Sequence, residues 1–246
     1  MNANIVEKAN QIIMTCNIAY VGVLDENDFP TVSTIMVARP MGEQPAEESC
    51  AGHAQPIFET YFATGLGSNK VRRLNRNNRA SICFHSGGNN ITLVGEAEIL
   101  TDQPTKSLFW QGDENYLPHF PGGDTDPNYC IIKIKTKSVS LWIDNEDAAF
   151  TVDELMAVQS YCGLLCDGCS YRESHGCAGC IALKGKPFWG ECEIAACCQS
   201  KGHAHCGECP DMPCDIPTQF SCGEDEHSDN PPGARIAVCR AWAYTC

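Results

Sequence analysis

Fourteen of the 18 cysteines in this 246-residue chain fall between Cys162 and Cys246, and only Cys16, Cys50, Cys83 and Cys130 precede them. Such a step in composition implies two parts stabilised by different means: a front part built on apolar packing and a back part built on sulfur. The length suits two modest domains. The N-terminal run MNANIVEKANQII has no basic segment followed by a long apolar stretch, so no secretion signal is expected. No run approaches the ~20 apolar residues of a membrane-spanning helix. The expected location is therefore the cytoplasm, where thiols stay reduced and a disulfide framework is disfavoured. The net charge of −14, spread over both parts, argues against nucleic acid or an anionic membrane as partner.

The front part reads as mainly β. Ile5, Ala9, Ile12 and Ile13 recur at helical spacing, predicting a helix over 3–15. Strand-like runs follow at 18–24 and 31–39 around a polar turn, then at 57–64, 81–85, 90–100, 129–137 and 139–143. Residues 40–55 read as a long loop or insertion. Ser68 and Asp102 are placed to cap two short helices. Six or seven short strands in consecutive runs, with few helices, predict a mainly β (α+β) fold built on a closed antiparallel barrel, taken as six-stranded, rather than a doubly wound parallel sheet. The expected division is a barrel over 1–145, an acidic connector over 146–158 and a cysteine-rich domain over 159–246.

Five basic residues crowd into ten positions: Lys70, Arg72, Arg73, Arg76 and Arg79. Just before them, Thr64-Gly65-Leu66-Gly67-Ser68-Asn69-Lys70 ends a strand and opens a helix. Such a corner presents free backbone amides, the positive end of a helix dipole, two hydroxyls and an ammonium, which together can hold a phosphate monoester. A turn with a solvated helix face is the plainer reading of the same residues. His53, His85 and His119 are the candidate proton donors, though no catalytic residue is assigned. Cys83, Phe109 and Trp110 are expected to be core or contact residues.

The run YFATGLGSNKVRRLNRNNRASICFH, then ITLVGEAEIL, then LFW…LPHFPGG…DPNYCIIKIKTKSVSLWID resembles the pyridoxamine 5′-phosphate oxidase-like FMN-binding split barrels, in particular their general-stress-protein branch. The resemblance spans residues 1–145 and includes the strand bearing Trp142. It implies a homodimer with FMN at the subunit interface. The phosphate would fall on Thr64, Ser68, Asn69 and Lys70, and the isoalloxazine on the second strand at Ser33, Thr34, Ile35 and Met36. Asn69 stands where the relatives often have arginine; Arg72 or Arg73 is the candidate replacement. The 40–55 segment replaces a tight hairpin.

In the back part, C162-GLL-C166-DG-C169, C177-AG-C180, C192-EIAA-C197, C206-GE-C209 and C214 contain three CxxC pairs. Two residues between thiolates let one tight turn deliver both sulfurs to one metal or cluster. The glycines Gly168, Gly179 and Gly207 allow positive φ, so that amides can point at sulfur. The three thiolates of CxxxCxxC, and the Cys209-Pro210 ending, suit a [4Fe–4S] cluster; Zn²⁺ is the alternative, replacing a core that so few large apolar residues are not expected to build. Residues 161–214 are similar to a family of small cysteine-rich domains without an established activity. The ligand set is Cys162, Cys166, Cys169, Cys177, Cys180, Cys192, Cys197, Cys206, Cys209 and Cys214. Cys198, Cys222, Cys239 and Cys246 fall outside the pattern and are expected as free thiols.

Taken together, the expected function is an FMN-dependent oxidoreductase that reduces a small organic acceptor, with iron–sulfur centres relaying electrons to the flavin from a donor such as an electron-donor protein. The alternative is a non-catalytic flavin or redox sensor whose zinc-stabilised module binds a partner. A haem-handling role is weaker, because no His/Cys site stands out as an axial ligand.

Overall fold

A computed structural model describes residues 3–41, 56–112, 116–224 and 227–243. Most of the 40–55 segment, with His53 and Cys50, lies outside the described residues, as does Cys246. The chain divides into two compact units. One holds residues 11–41 and 56–152; the other holds residues 3–10 together with the described part of 153–246.

The first unit is a barrel. Strands β1 (Ile18–Leu24), β2 (Pro30–Ala38), β3 (Glu59–Gly65), β4 (Arg79–Ser86), β5 (Asn89–Leu100) and β6 (Tyr129–Ile143) pair in the order β3-β2-β1-β4-β5-β6, and a β3–β6 pairing closes the ring. Every pairing is antiparallel. Alternation sets the inner face: Ala19, Val21 and Val23 on β1, Ala80, Ile82 and Phe84 on β4, and Ile91 and Leu93 on β5 are all buried. Helix α1 (Ala3–Thr15) precedes the barrel, α2 (Asn69–Arg76) follows β3, and α3 (Gln103–Phe109) follows β5.

Two sequence expectations need correcting. The runs 129–137 and 139–143 are one strand. Pairing with β5 steps from Gly95–Thr136 to Val94–Ser138, which leaves Lys137 as an extra residue. This bulge reverses the inward parity, from Cys130, Ile132 and Ile134 to Val139, Leu141 and Ile143, so the pattern looks interrupted where the backbone is continuous. Close approach here requires glycine opposite: a Cβ on Gly95 would lie 2.0 Å from the Lys135 carbonyl oxygen. The second correction concerns the segment expected as an acidic connector. It contains β7 (Glu146–Thr151), which pairs with Ser138–Ile143 of β6, and α4 (Val152–Met156). Its acidic residues obscured the strand, which buries Phe150.

Against α3 packs a buried cluster of Ala38, Phe109, Tyr116, Phe120, Tyr129 and Ile131, with Trp110 edge-on to Tyr129 at 5.1 Å. Phe109 and Trp110 thus serve the core. Cys83 does not: it lies on the opposite strand face from Ile82 and Phe84 and is only partly buried.

The second unit is built of short helices: α4, α5 (Tyr171–Ser174), α6 (Glu193–Lys201), α7 (Asp215–Cys222) and α8 (Ala234–Ala243). It has more of a core than composition suggested, because α8 buries Ile236, Val238, Ala241 and Trp242 alongside Leu155, Leu165 and Ile194. The Trp242 indole donates to the Leu155 carbonyl at 2.9 Å. A part-buried Arg235–Asp229 ion pair at 2.6 Å ties α8 to the preceding loop, and Ser221 of α7 donates to the same carboxylate.

Candidate functional site

The first candidate site lies where β2 and β3 part. These strands pair only at Val37–Phe62 and Ala38–Tyr61. Had the register continued, Thr64 would lie opposite Ile35. Instead β2 keeps its pairing with β1 over Pro30–Met36 while its other edge is left open among the described residues. β3 runs on along β6, with Thr64 opposite Cys130, and turns into α2. The open edge and the strand–helix corner therefore flank one divergence, and all eight residues that the sequence assigned to cofactor binding sit on it.

At the corner, Ser68 caps α2: its hydroxyl accepts from the Val71 amide at 3.3 Å, and Thr64 Oγ1 donates to Ser68 Oγ at 3.4 Å. The amides of Asn69 and Lys70, the first two of the helix, have no intrahelical carbonyl to bond. Lys70 is half-buried and Asn69 exposed. On β2 the four assigned residues alternate. Thr34 and Met36 are exposed on the outer face, while Ile35 is buried inside the barrel and Ser33 half-buried on the same side. A planar ligand on this strand would meet the open backbone edge and only alternate side chains.

Most of the basic cluster is already engaged. Arg72 pairs with Glu26 at 2.5 Å and Arg76 with Asp28 at 2.6 Å, both on the β1–β2 turn. The Glu26 carboxyl is held below its usual range by its own backbone amide and by Arg72. Arg73 differs: its Nη1 donates to Thr31 Oγ1 of β2 at 2.9 Å, and its Nε is buried without a hydrogen-bond partner, the nearest carboxylate oxygen (Glu26) being 3.9 Å away. Of the two arginines considered as replacements at position 69, Arg73 is the one that reaches the open edge. His85 and His119 are both exposed.

The second candidate site is a cavity of about 50 Å³ lined by Cys162, Cys166, Cys169, Cys177, Cys180 and Cys192, with Tyr171, Arg172 and Trp189 among its other walls. Six of the ten assigned ligands thus share one space. The backbone at Leu164, Cys180 and Tyr161 acts to lower the thiol pKa of Cys162, Cys166 and Cys180, respectively, but less than burial raises it. Burial pushes all three thiols up, Cys180 to about 12. This donor set has the chemistry of a soft-metal site. Among the described residues, however, no three or more His, Cys, Asp or Glu side chains are arranged to hold a metal ion.

The remaining assigned thiols lie elsewhere. Cys206 meets Cys198 and Cys239 around one carbonyl: Tyr161 O accepts from the Cys206 amide at 2.8 Å and lies 3.9 Å from Cys198 Sγ and 4.0 Å from Cys239 Sγ. Cys198 and Cys239 were expected as free thiols outside the ligand pattern and both are free, but their meeting with Cys206 was not foreseen, since they carry no CxxC spacing and owe their place to apolar helix faces. Cys197 is half-buried on α6, Cys209 Sγ lies 3.4 Å from Lys201 Nζ, and Cys214 is the N-cap position before α7. Cys222, expected as a free thiol, is disulfide-bonded. Of the three glycines that allow positive φ, only Gly179 adopts it, at 98°. Gly207 is required for space instead, since a Cβ there would lie 1.9 Å from the Cys239 carbonyl oxygen.

A closed six-stranded antiparallel barrel that opens between its second and third strands, with a strand–helix corner at the opening, defines a split-barrel protein. Residues 5–159 match the family described as pyridoxamine 5′-phosphate oxidase like, and the chain belongs to that family. Residues 158–219 match a second family, described only as a protein of unknown function, DUF3795. A protein from Clostridium acetobutylicum related to general stress protein 26 has a similar fold: it is 21% identical, with a TM-score of 0.51 covering 63% of this chain and 99% of that one. General stress protein 26 from Bacillus anthracis is 24% identical, with a TM-score of 0.46 over 60% of this chain and 99% of its own. No curated protein matches the chain.

Proposed function

We propose that the barrel binds FMN and that the chain is an FMN-dependent oxidoreductase acting on a small organic acceptor. The observation that carries this reading is the convergence of two features on one opening: a capped helix start with two free amides and Lys70, and the unpaired edge of β2 with Arg73 beside it. The corner suits the phosphate at Thr64, Ser68, Asn69 and Lys70. The open edge at Ser33, Thr34, Ile35 and Met36 offers backbone donors and acceptors to the flavin's pyrimidine ring. Bound FMN supplies hydride and single-electron chemistry, so the protein need only bind, orient and shield it.

The outer sheet face supports a homodimer. Ile18, Tyr20, Val32, Met36, Val94 and Trp142 are all exposed there, and strand register places Ile18 beside Met36 and Tyr20 two residues on. A run of exposed large apolar residues across adjacent strands marks an interaction surface. Since Thr34 and Met36 belong to both this face and the open edge, a flavin there would lie at the interface.

For the cysteine-rich unit we propose an iron–sulfur centre, held by thiolates drawn from the six around the common cavity, as a source of electrons; Zn²⁺ in the same thiolates is the alternative, and would make the unit structural. The shared cavity lined by six thiols supports a metal. Anaerobic purification followed by an absorption spectrum and metal analysis tests both halves. A flavin spectrum over a broad, reducible shoulder, with stoichiometric iron, is expected. Stoichiometric zinc without iron would replace the electron-donor role by the structural one, and colourless protein that takes up no FMN would refute the oxidoreductase reading.

A further inference from the structure

The corner that carries residues 64–70 is held from behind by one side chain. Asn128 immediately precedes β6, and its Oδ1 accepts from the Gly67 amide at 3.0 Å while its backbone carbonyl accepts from the Leu66 amide at 2.7 Å. The Ser68 amide is taken by the Gly65 carbonyl at 2.9 Å. Three consecutive amides are thereby occupied inside the protein, and those of Asn69 and Lys70 are the first left to face a ligand. The fit is close: a Cβ on Gly65 would lie 2.8 Å from Asn128 Nδ2.

Asn128 is itself fixed. Its amide donates to Asp126 Oδ1 at 2.8 Å, and Asp126 Oδ2 accepts from the Gly122 amide at 3.1 Å. The Asp126 carbonyl accepts from the buried Lys106 ammonium at 2.8 Å. A chain of contacts thus runs from α3 through Lys106, Asp126 and Asn128 to the corner, and it ends on backbone atoms whose direction decides where the free amides point.

We propose that Asn128 is a positioning residue for the flavin's phosphate, and that it sets the preference for a phosphorylated flavin over one lacking the phosphate; this rests on the flavin reading above. An amide side chain suits the role because it accepts from Gly67 without placing negative charge behind an anion site, as aspartate would.

Titrating the full-length protein with FMN and with riboflavin, which lacks the phosphate, tests this. The wild-type chain should prefer FMN. In Asn128→Ala that preference should fall about tenfold, the worth of one well-aimed charged hydrogen bond, with riboflavin affinity nearly unchanged. Equal losses for both ligands, or no change in either, would overturn the positioning role while leaving the flavin reading intact. Should the alanine variant not fold, Asn128→Asp keeps the acceptor for Gly67 and adds a charge. Its FMN preference should also fall and should recover partly in high salt, because an exposed-site repulsion is screened; an unchanged preference overturns the inference. A wild-type protein that binds both flavins equally would instead remove the phosphate assignment itself, and the role of Asn128 with it.

Discussion

At the scale of single residues, the side chains that touch the open edge differ from those that merely look basic. Arg72 and Arg76 are neutralised by Glu26 and Asp28, and such exposed pairs contribute little to stability. Lys70 and Ser68 are the groups left to meet a phosphate. A Lys70→Ala, Ser68→Ala variant should bind FMN roughly 10- to 100-fold more weakly while remaining folded, measured by fluorescence titration, since each charged or capping hydrogen bond contributes about 1–2 kcal/mol. Position 95 tests the bulge. Gly95→Ala should destabilise the barrel by at least about 2 kcal/mol, read as a lower denaturant midpoint at unchanged slope, because the new methyl collides with a backbone carbonyl that has no rotamer to yield. The corner was legible from residue types alone, because strand-to-helix turns need glycine and a capping hydroxyl. Asn128 was not, since nothing local marks a side chain that bonds backbone 61 positions away.

Among the elements, β3 and β6 carry a charged ladder on their outer face. Glu59 pairs with Lys133 at 2.7 Å and accepts from the Tyr61 hydroxyl at 2.8 Å. Burial raises the Glu59 carboxyl, but those two partners outweigh it and hold it below its ordinary value of 4.5. The sign follows: this stabilisation is complete above that value and is lost as pH falls through the lower folded value. Thermal melts of the wild type should therefore lose stability below about pH 4.5, and Glu59→Gln should flatten that part of the profile. Strand positions and helix caps were readable because alternation and capping are local. The continuity of β6 was hidden by its bulge, and β7 by its acidic start, since both break the two-residue period that strand recognition relies on. In the cysteine-rich unit, two of the three CxxC pairs, Cys166/Cys169 and Cys177/Cys180, line the common cavity while the third, Cys206/Cys209, lies elsewhere, and Cys198 and Cys239 owe their positions to α6 and α8 packing.

For the whole molecule, the outer barrel face makes a prediction about assembly. Val32 is 70% exposed, so Val32→Asp should leave the isolated fold nearly unaffected, and paired with Tyr20→Asp it should convert a dimer to a monomer in sedimentation experiments. No helix among the described residues is long and apolar enough to cross a membrane. The strand at the barrel's margin has a protective consequence. β7 lies along residues 138–143 of β6, past the point where β3 has ended its own pairing, and it opens with Glu146 and Asp147. It covers backbone that would otherwise stand ready to recruit a strand from another molecule, and it presents two negative charges to any newcomer. Neutralising both, by Glu146→Gln and Asp147→Asn, should leave the melting temperature close to wild type yet shorten the lag before turbidity appears on warm storage. The short acidic strand would then be a guard against fibre growth, placed where β6 outruns β3.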